Sequence, residues 1–303
     1  MKEKLNNLGN KSNNKKAIMV LWIVLVLNFA VAIFKMIVGT IANSGSIVAD
    51  GYHSLSDGSG NIVGITGLFI AGRPEDESHP YGHKKFETIS SLMISALLFA
   101  VGCKVAFSAV TNIINPKIPE ISILSFAVMI TTLVVNIFVV KYERSQGLKL
   151  SSDVLVSDSE HTKSDIMITS GVIFTMILLK FGFPPVIDGI VSLLISAFIF
   201  KASYEIFTSS SNVLADAAAL SSEEICETVM TCEGVMGCHK VRSRGRQDDI
   251  HIDLHALTHP EMSVAEAHVL DHAIEKALKA KYGDQVSVIV HIEPFVDHES
   301  TVK

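Results

Sequence analysis

Residues 46–72 read SIVADGYHSLSDGSGNIVGITGLFIAG. The stretch is long and apolar enough to cross a hydrocarbon core of about 30 Å as a helix, yet it opens with Asp50, His53 and Asp57. An ionisable side chain inside a membrane span is costly, and it is kept where it has work to do. Residues three and four apart share a helix face, so His53 and Asp57 project together with Asp50 one turn behind.

Similar apolar runs lie near 17–40, 88–113, 121–141, 165–183 and 186–208. With 49% apolar and 18% charged residues, the 303-residue chain departs from soluble composition in the direction of lipid. A lone run of this kind can be a buried helix. Six in succession, followed by about 90 residues of ordinary composition, predict six transmembrane helices. The first run is too long, and too free of a small-residue cleavage site, for a secretory signal, so the expectation is that it stays in the mature protein.

The predicted organisation is a disordered polar tail over 1–16, a transport domain over 17–210 and a cytoplasmic domain over 211–303. Placing the N-terminus in the cytoplasm puts Lys2, Lys4, Lys11, Lys15, Lys16, Arg73, Lys84, Lys85, Lys141, Arg144 and Lys149 on that side, against Lys117 and Lys180 on the other. Both termini are therefore expected inside. A net charge of −6 and the lack of a basic patch interleaved with aromatics give no nucleic-acid signal. A reducing compartment argues against a disulfide framework among Cys103, Cys226, Cys232 and Cys238, and the last two read as plain small residues.

The fifth run is entered through Asp158-Ser-Glu-His161-Thr-Lys-Ser-Asp165, repeating the D-x-x-H-x-x-x-D pattern of the second. Two such faces turned toward each other supply two imidazoles and two carboxylates, a tetrahedral set suited to zinc. The two aspartates balance one dication. Emptied, the site attracts protons, because an imidazole nitrogen cannot hold metal and proton at once. The bland alternative is hydrogen-bond glue between helices, which two matched His/Asp pairs make the weaker reading. Asp50, Asp158 and Asn61 are reserve ligands on nearly the same faces.

Between runs two and three, Asp76, His79 and His83 are dense enough for a three-ligand metal site. The final segment predicts a small α+β layer. It has a Ser221–Glu224 capping box before a helix over 222–231, strands over 237–244 and 249–257, a helix over 263–281 and a strand over 286–293. It also carries His239, His251, His255, His259, His268, His272, His291 and His298. His291 and Glu293 share a strand face and His268 and His272 a helix face, a pattern that permits a second metal cluster.

Taken in order, VADGYHSLSD, HPYGHKKFE and SEHTKSD resemble the cation diffusion facilitator family of metal/proton antiporters, over about residues 16–295. The resemblance implies a homodimer with six helices per subunit and a metallochaperone-like αββαβ cytoplasmic domain. It implies a transport site of His53, Asp57, His161 and Asp165, and a loop site of Asp76, His79 and His83. It further implies a cytoplasmic site of His239, His255, His268, His291 and Glu293, and an inter-subunit salt bridge between Lys85 and Asp216. His251, His259, His272 and His298 find no counterpart.

The expected cargo is zinc exported across the cell membrane against protons. Iron, cobalt, cadmium and manganese are alternatives, manganese-type members tending to replace a His with Asn or Asp. The other class of reading is a membrane-anchored metal sensor or scaffold, which needs no acids inside its spans. A metallopeptidase is disfavoured because no H-E-x-x-H occurs, and no Gly-rich phosphate loop points to ATP coupling.

Overall fold

The computed structural model describes residues 2–41, 45–115 and 123–296. Six long helices come first: α1 (Lys2–Ile41), α2 (Gly45–Ala71), α3 (Lys85–Ile114), α4 (Ile123–Leu150), α5 (Asp153–Lys180) and α6 (Val186–Leu214). Five contain apolar stretches of 25 to 30 residues, long enough to span a bilayer, and α2 adds the apolar stretch Gly60–Ala71. The chain is thus an integral membrane protein built on a six-helix bundle.

Two boundaries differ from the sequence expectation for identifiable reasons. The backbone of α1 is helical from Lys2, through the stretch for which a disordered tail is expected; a helix nucleated in the apolar run extends at little cost per added residue. Helix α5 starts at Asp153, twelve residues before the expected 165. Ser152 caps it, accepting the Leu155 N–H and donating its hydroxyl to Glu87 Oε1 at 2.7 Å. The polar Asp158–Asp165 stretch therefore lies well inside the helix, in keeping with the helix face expected for His161 and Asp165.

The bundle core joins Ala17, Val20, Leu21 and Val24 of α1 to Leu68, Ile94, Val139, Val154 and Leu155 of α2 to α5. Close helix approach is set by small residues: the Gly147 backbone lies against Leu155 and Val156, where a Cβ would be crowded. Ser95 and Ser203 bind each other's carbonyls at 2.9 and 3.0 Å, tying α3 to α6 where no water competes.

A second compact unit is built on Asn212–Lys303. Helix α7 (Ser222–Val229) and helix α8 (Val264–Tyr282) pack on a sheet of β1 (Gly237–Arg246), β2 (Asp249–Thr258) and β3 (Val286–Pro294), in the order β1-β2-β3. The β1–β2 pair is antiparallel and the β2–β3 pair parallel. Strand alternation sends Ile250, Ile252, Leu254 and Ala256 toward Leu270, Ile274 and Leu278 of α8. The opposite face carries the histidines. Ser263 and Glu266 form a reciprocal capping box on α8. Cys226 and Cys238 are paired as a disulfide, against the sequence expectation; α7 packs on β1 and brings their Cα atoms to 5.6 Å, within bridging range.

Candidate metal sites

Helix α5 presents Asp158, His161, Thr162 and Asp165 to a cavity of about 30 Å³, also lined by Asn28, Val31 and Lys35 of α1, Ser54 and Asn61 of α2 and Asn136 of α4. This is room for a water or two, or a dehydrated ion. His161 is buried, and among the described residues its Nδ1 meets no hydrogen-bond partner. A buried lone pair or N–H left without a partner is costly, and an ion or proton acceptor in the cavity relieves it. The polar surroundings are otherwise well satisfied. Asn28 Nδ2 donates to Asn61 Oδ1 at 3.1 Å, Asn61 Nδ2 donates to Asp158 Oδ2, and Lys35 Nζ donates to Ser54 Oγ at 2.9 Å.

Of the four side chains expected around one ion, the structure thus places His161 and Asp165 at the same cavity, with Asp158 and Asn61 beside them. The backbone of His53 and Asp57 is helical within α2, but their side chains, like that of Asp50, lie outside the described residues. Lys35, Asn28, Asn136 and the buried Glu143 of α4 were missed. Lys35 carried the same signal used for His53 and Asp57, an ionisable residue inside a span, and could have been found by it; Glu143 lies beyond the apolar run 121–141 and did not.

The loop after α2 folds around Asp76. Its Oδ1 accepts the His79 backbone N–H at 2.7 Å and lies 3.2 Å from His79 Nδ1, while Oδ2 lies 3.4 Å from His83 Nε2. Gly82, at φ +80°, lets the chain reverse between the two histidines. The Nδ1 of buried His83 sits 3.1 Å from the Pro74 carbonyl, which can only accept, so Nδ1 carries a hydrogen and Nε2 is the nitrogen turned toward Asp76. The backbone N–H of His79, helped by the two imidazoles, holds the Asp76 carboxyl below the usual carboxylate range. One nitrogen or oxygen from each of Asp76, His79 and His83 falls within a common 4.8 Å.

In the second unit, strand register builds the cluster. His239 faces His255 across the antiparallel pair and His255 faces His291 across the parallel pair, so three imidazoles form a row on the open face of the sheet. Glu293, two residues beyond His291, shares that face. Its Oε1 lies 2.8 Å from His255 Nδ1 and its Oε2 3.1 Å from His239 Nε2, with His291 Nε2 at 3.5 Å. The His255 hydrogen bond, with the charges of His255, Lys240 and His239, draws the Glu293 carboxyl below its ordinary value. His239, His255 and Glu293 offer ligand atoms within 4.8 Å. His268 does not join them: α8 covers the other face of the sheet, and the His268 ring lies 4.5 Å from that of His272 instead. His251 lies 3.7 Å from Asp249, and His298 is outside the described residues.

Residues 21–215 match the family model described as the cation efflux transmembrane domain, and residues 219–295 that described as the cation efflux protein cytoplasmic domain. The chain is 31% identical to an uncharacterized transporter of Methanocaldococcus jannaschii, over 84% of this chain and 90% of the relative. It is 27% identical to the manganese efflux system protein MneS of Bacillus subtilis, over 86% and 89%. It is 25% identical to the cation-efflux pump FieF of Shewanella oneidensis, over 86% and 88%.

Proposed function

We propose zinc–proton exchange as the function of this chain, which belongs to the cation diffusion facilitator, or cation efflux, family of divalent-metal transporters. That membership makes it a transporter of divalent metal cations and not an enzyme. The finer reading is ours: zinc leaves the cytoplasm through a site of His53, Asp57, His161 and Asp165, and protons return through the same lone pairs. The observation that carries it is the buried, unpartnered Nδ1 of His161 beside Asp165 in a polar cavity inside the bundle.

Imidazole favours zinc over the harder manganese. A manganese reading has its own support, in the amides of Asn28, Asn61 and Asn136 around the cavity and in relatives whose printed names specify manganese efflux. Charge decides how the exchange runs. Two ionised aspartates and neutral imidazoles compensate a dication, and protons compensate the acids when the metal has left, so the cavity never holds a large uncompensated charge.

The cell membrane, with both termini cytoplasmic, completes the reading and follows the Lys and Arg bias of the loops. The loop and cytoplasmic clusters act as accessory metal sites. Homodimerisation is part of the proposal, supported by exposed Val264, Val269 and Ile289 on the second unit. Lys85 would pair with the Asp216 of a second copy; within the chain Asp216 Oδ1 lies 3.7 Å from Arg244.

The test is flux. Purified protein in liposomes with an imposed pH gradient should move zinc, and manganese more slowly. Asp165→Ala and His161→Ala should each abolish zinc movement. Undiminished zinc flux in either variant sinks the site, and faster manganese flux overturns the choice of metal.

A further inference from the structure

Helices α4 and α5 form an antiparallel hairpin that turns at Ser151 and Ser152. Glu143 stands seven residues before the end of α4 and Asp158 five after the start of α5, so both lie roughly 7–10 Å from the turn. His161 is one turn deeper, about 4–5 Å further along α5.

Glu143 is fully buried, and among the described residues its carboxylate oxygens meet no donor beyond the Asp158 carboxyl they lie against. It faces Asp158, itself buried, whose Oδ2 is held by Asn61 Nδ2. Arg144, next in the chain, turns to Glu160 instead. Asp158 also lines the cavity that holds His161 and Asp165. Two carboxylates facing each other out of water cannot both stay ionised unless something positive sits between them. Oxygen donors of this kind suit a divalent cation, which two acids neutralise, and they hold zinc more weakly than a set containing imidazole.

We propose that Glu143 and Asp158 form a second divalent-cation position, on the hairpin-turn side of His161 and Asp165, where the metal is desolvated before it passes to the imidazole-containing site. This rests on the reading of the chain as a metal carrier. The order of donors is then a gradient: weaker all-oxygen ligands first, tighter mixed ligands next, so that the first position fills and empties readily. Asn61 links the two, fixing Asp158 through its amide nitrogen while its oxygen accepts from Asn28.

The experiment uses the full-length protein in liposomes and in detergent. Glu143→Gln, which keeps shape and removes one charge, should raise the KM for zinc about tenfold or more with kcat within about twofold, and Glu143→Asp should recover most of the loss. Asp158→Asn is read in the same way and serves should the glutamine variant assemble poorly. In equilibrium dialysis against Cd²⁺, the Asp165→Ala protein should retain one more ion per chain than Asp165→Ala/Glu143→Gln. Equal cadmium retention with an unchanged KM overturns the second position. A Glu143→Gln protein altered only in the pH dependence of flux assigns the pair to protons and overturns it too. Should Asp165→Ala leave zinc flux intact, the transport-site reading fails by itself, and dialysis still decides on Glu143 and Asp158.

Discussion

Zinc should raise the melting temperature of the segment 212–303 by about 10–20 °C, and His255→Ala should remove most of that rise. The unit has its own core, from Ile225 through Ile252 and Leu254 to Ile274 and Leu278, so it can be measured alone. Ligands at about 2.0–2.2 Å around a tetrahedral ion stand about 3.3–3.6 Å from one another. The nitrogen-to-oxygen separations of 2.8, 3.1 and 3.5 Å around Glu293 are already close to those edges, so zinc enters by spreading the donors a few tenths of an ångström. At a hundred times its Kd a ligand stabilises the folded form by about 2.7 kcal/mol. For a domain of this size each kcal/mol is worth about 4–8 °C. Differential scanning fluorimetry with zinc and with chelator reads the shift. His251→Ala, on the same face but paired toward Asp249, should leave it intact. The rise should shrink on acidification, since metal and protons compete for the same lone pairs. Glu293 holds its charge into acid. Its carboxyl is drawn downward, so its own contribution is complete above the ordinary carboxylate range and lost only as pH falls through the lowered value. A full shift in His255→Ala, or one unchanged on acidification, refutes the argument.

Three further outcomes follow from local geometry. Ile274→Ala, at a fully buried position under the sheet, should cost about 2–5 kcal/mol in chemical unfolding of the same segment. Gly245, at φ +108° with the Asp249 carbonyl where a Cβ would stand, should not accept alanine without losing more than about 1 kcal/mol, visible as a lower unfolding midpoint. Asp76→Asn should weaken zinc at the loop about 10–100-fold, in titrations of protein lacking the other proposed sites. In the parent loop the lowered Asp76 carboxyl stays ionised through the ordinary carboxylate range, so its contribution should be lost only as pH falls through its lowered value.

The fold was legible where one physical signal dominated. The second unit's elements lie within about two residues of their expected bounds because strand alternation and the Ser221 and Ser263 caps agree with one another. The start of α5 was less so: the shared helix face of His161 and Asp165 was readable, but the extension back to Asp153 depends on the Ser152 cap and on packing against α3 and α4. The His239–His255–His291 row needed strand register, which parallel pairing of β2 with β3 supplies across thirty-odd residues and no local spacing announces. Glu143 was passed over because it lies among Lys141, Tyr142 and Arg144 near a helix end, where a charge normally reaches water. The Cys226–Cys238 pairing depended on how α7 docks on β1.

Interhelical glue and an ion site are commonly set against each other as explanations of polar residues in a membrane bundle, but here they occupy one network and satisfaction separates them. Asn28, Asn61 and the Oδ2 of Asp158 form a chain of donors and acceptors that runs from α1 through α2 to α5, and Lys35 is bound to Ser54; these groups position the three helices. At the edge of that network, among the described residues, the buried Nδ1 of His161 has no hydrogen-bond partner and the buried Glu143 meets only the Asp158 carboxyl. Glue in hydrocarbon is worth keeping only when every member is paired, because an unpaired buried polar group costs more than an apolar one in its place. A helix that needed only adhesion would do better with Leu at 143 and 161. On the function proposed above, the residues left wanting a partner mark where a cation would enter, and the satisfied ones mark what holds that opening in shape.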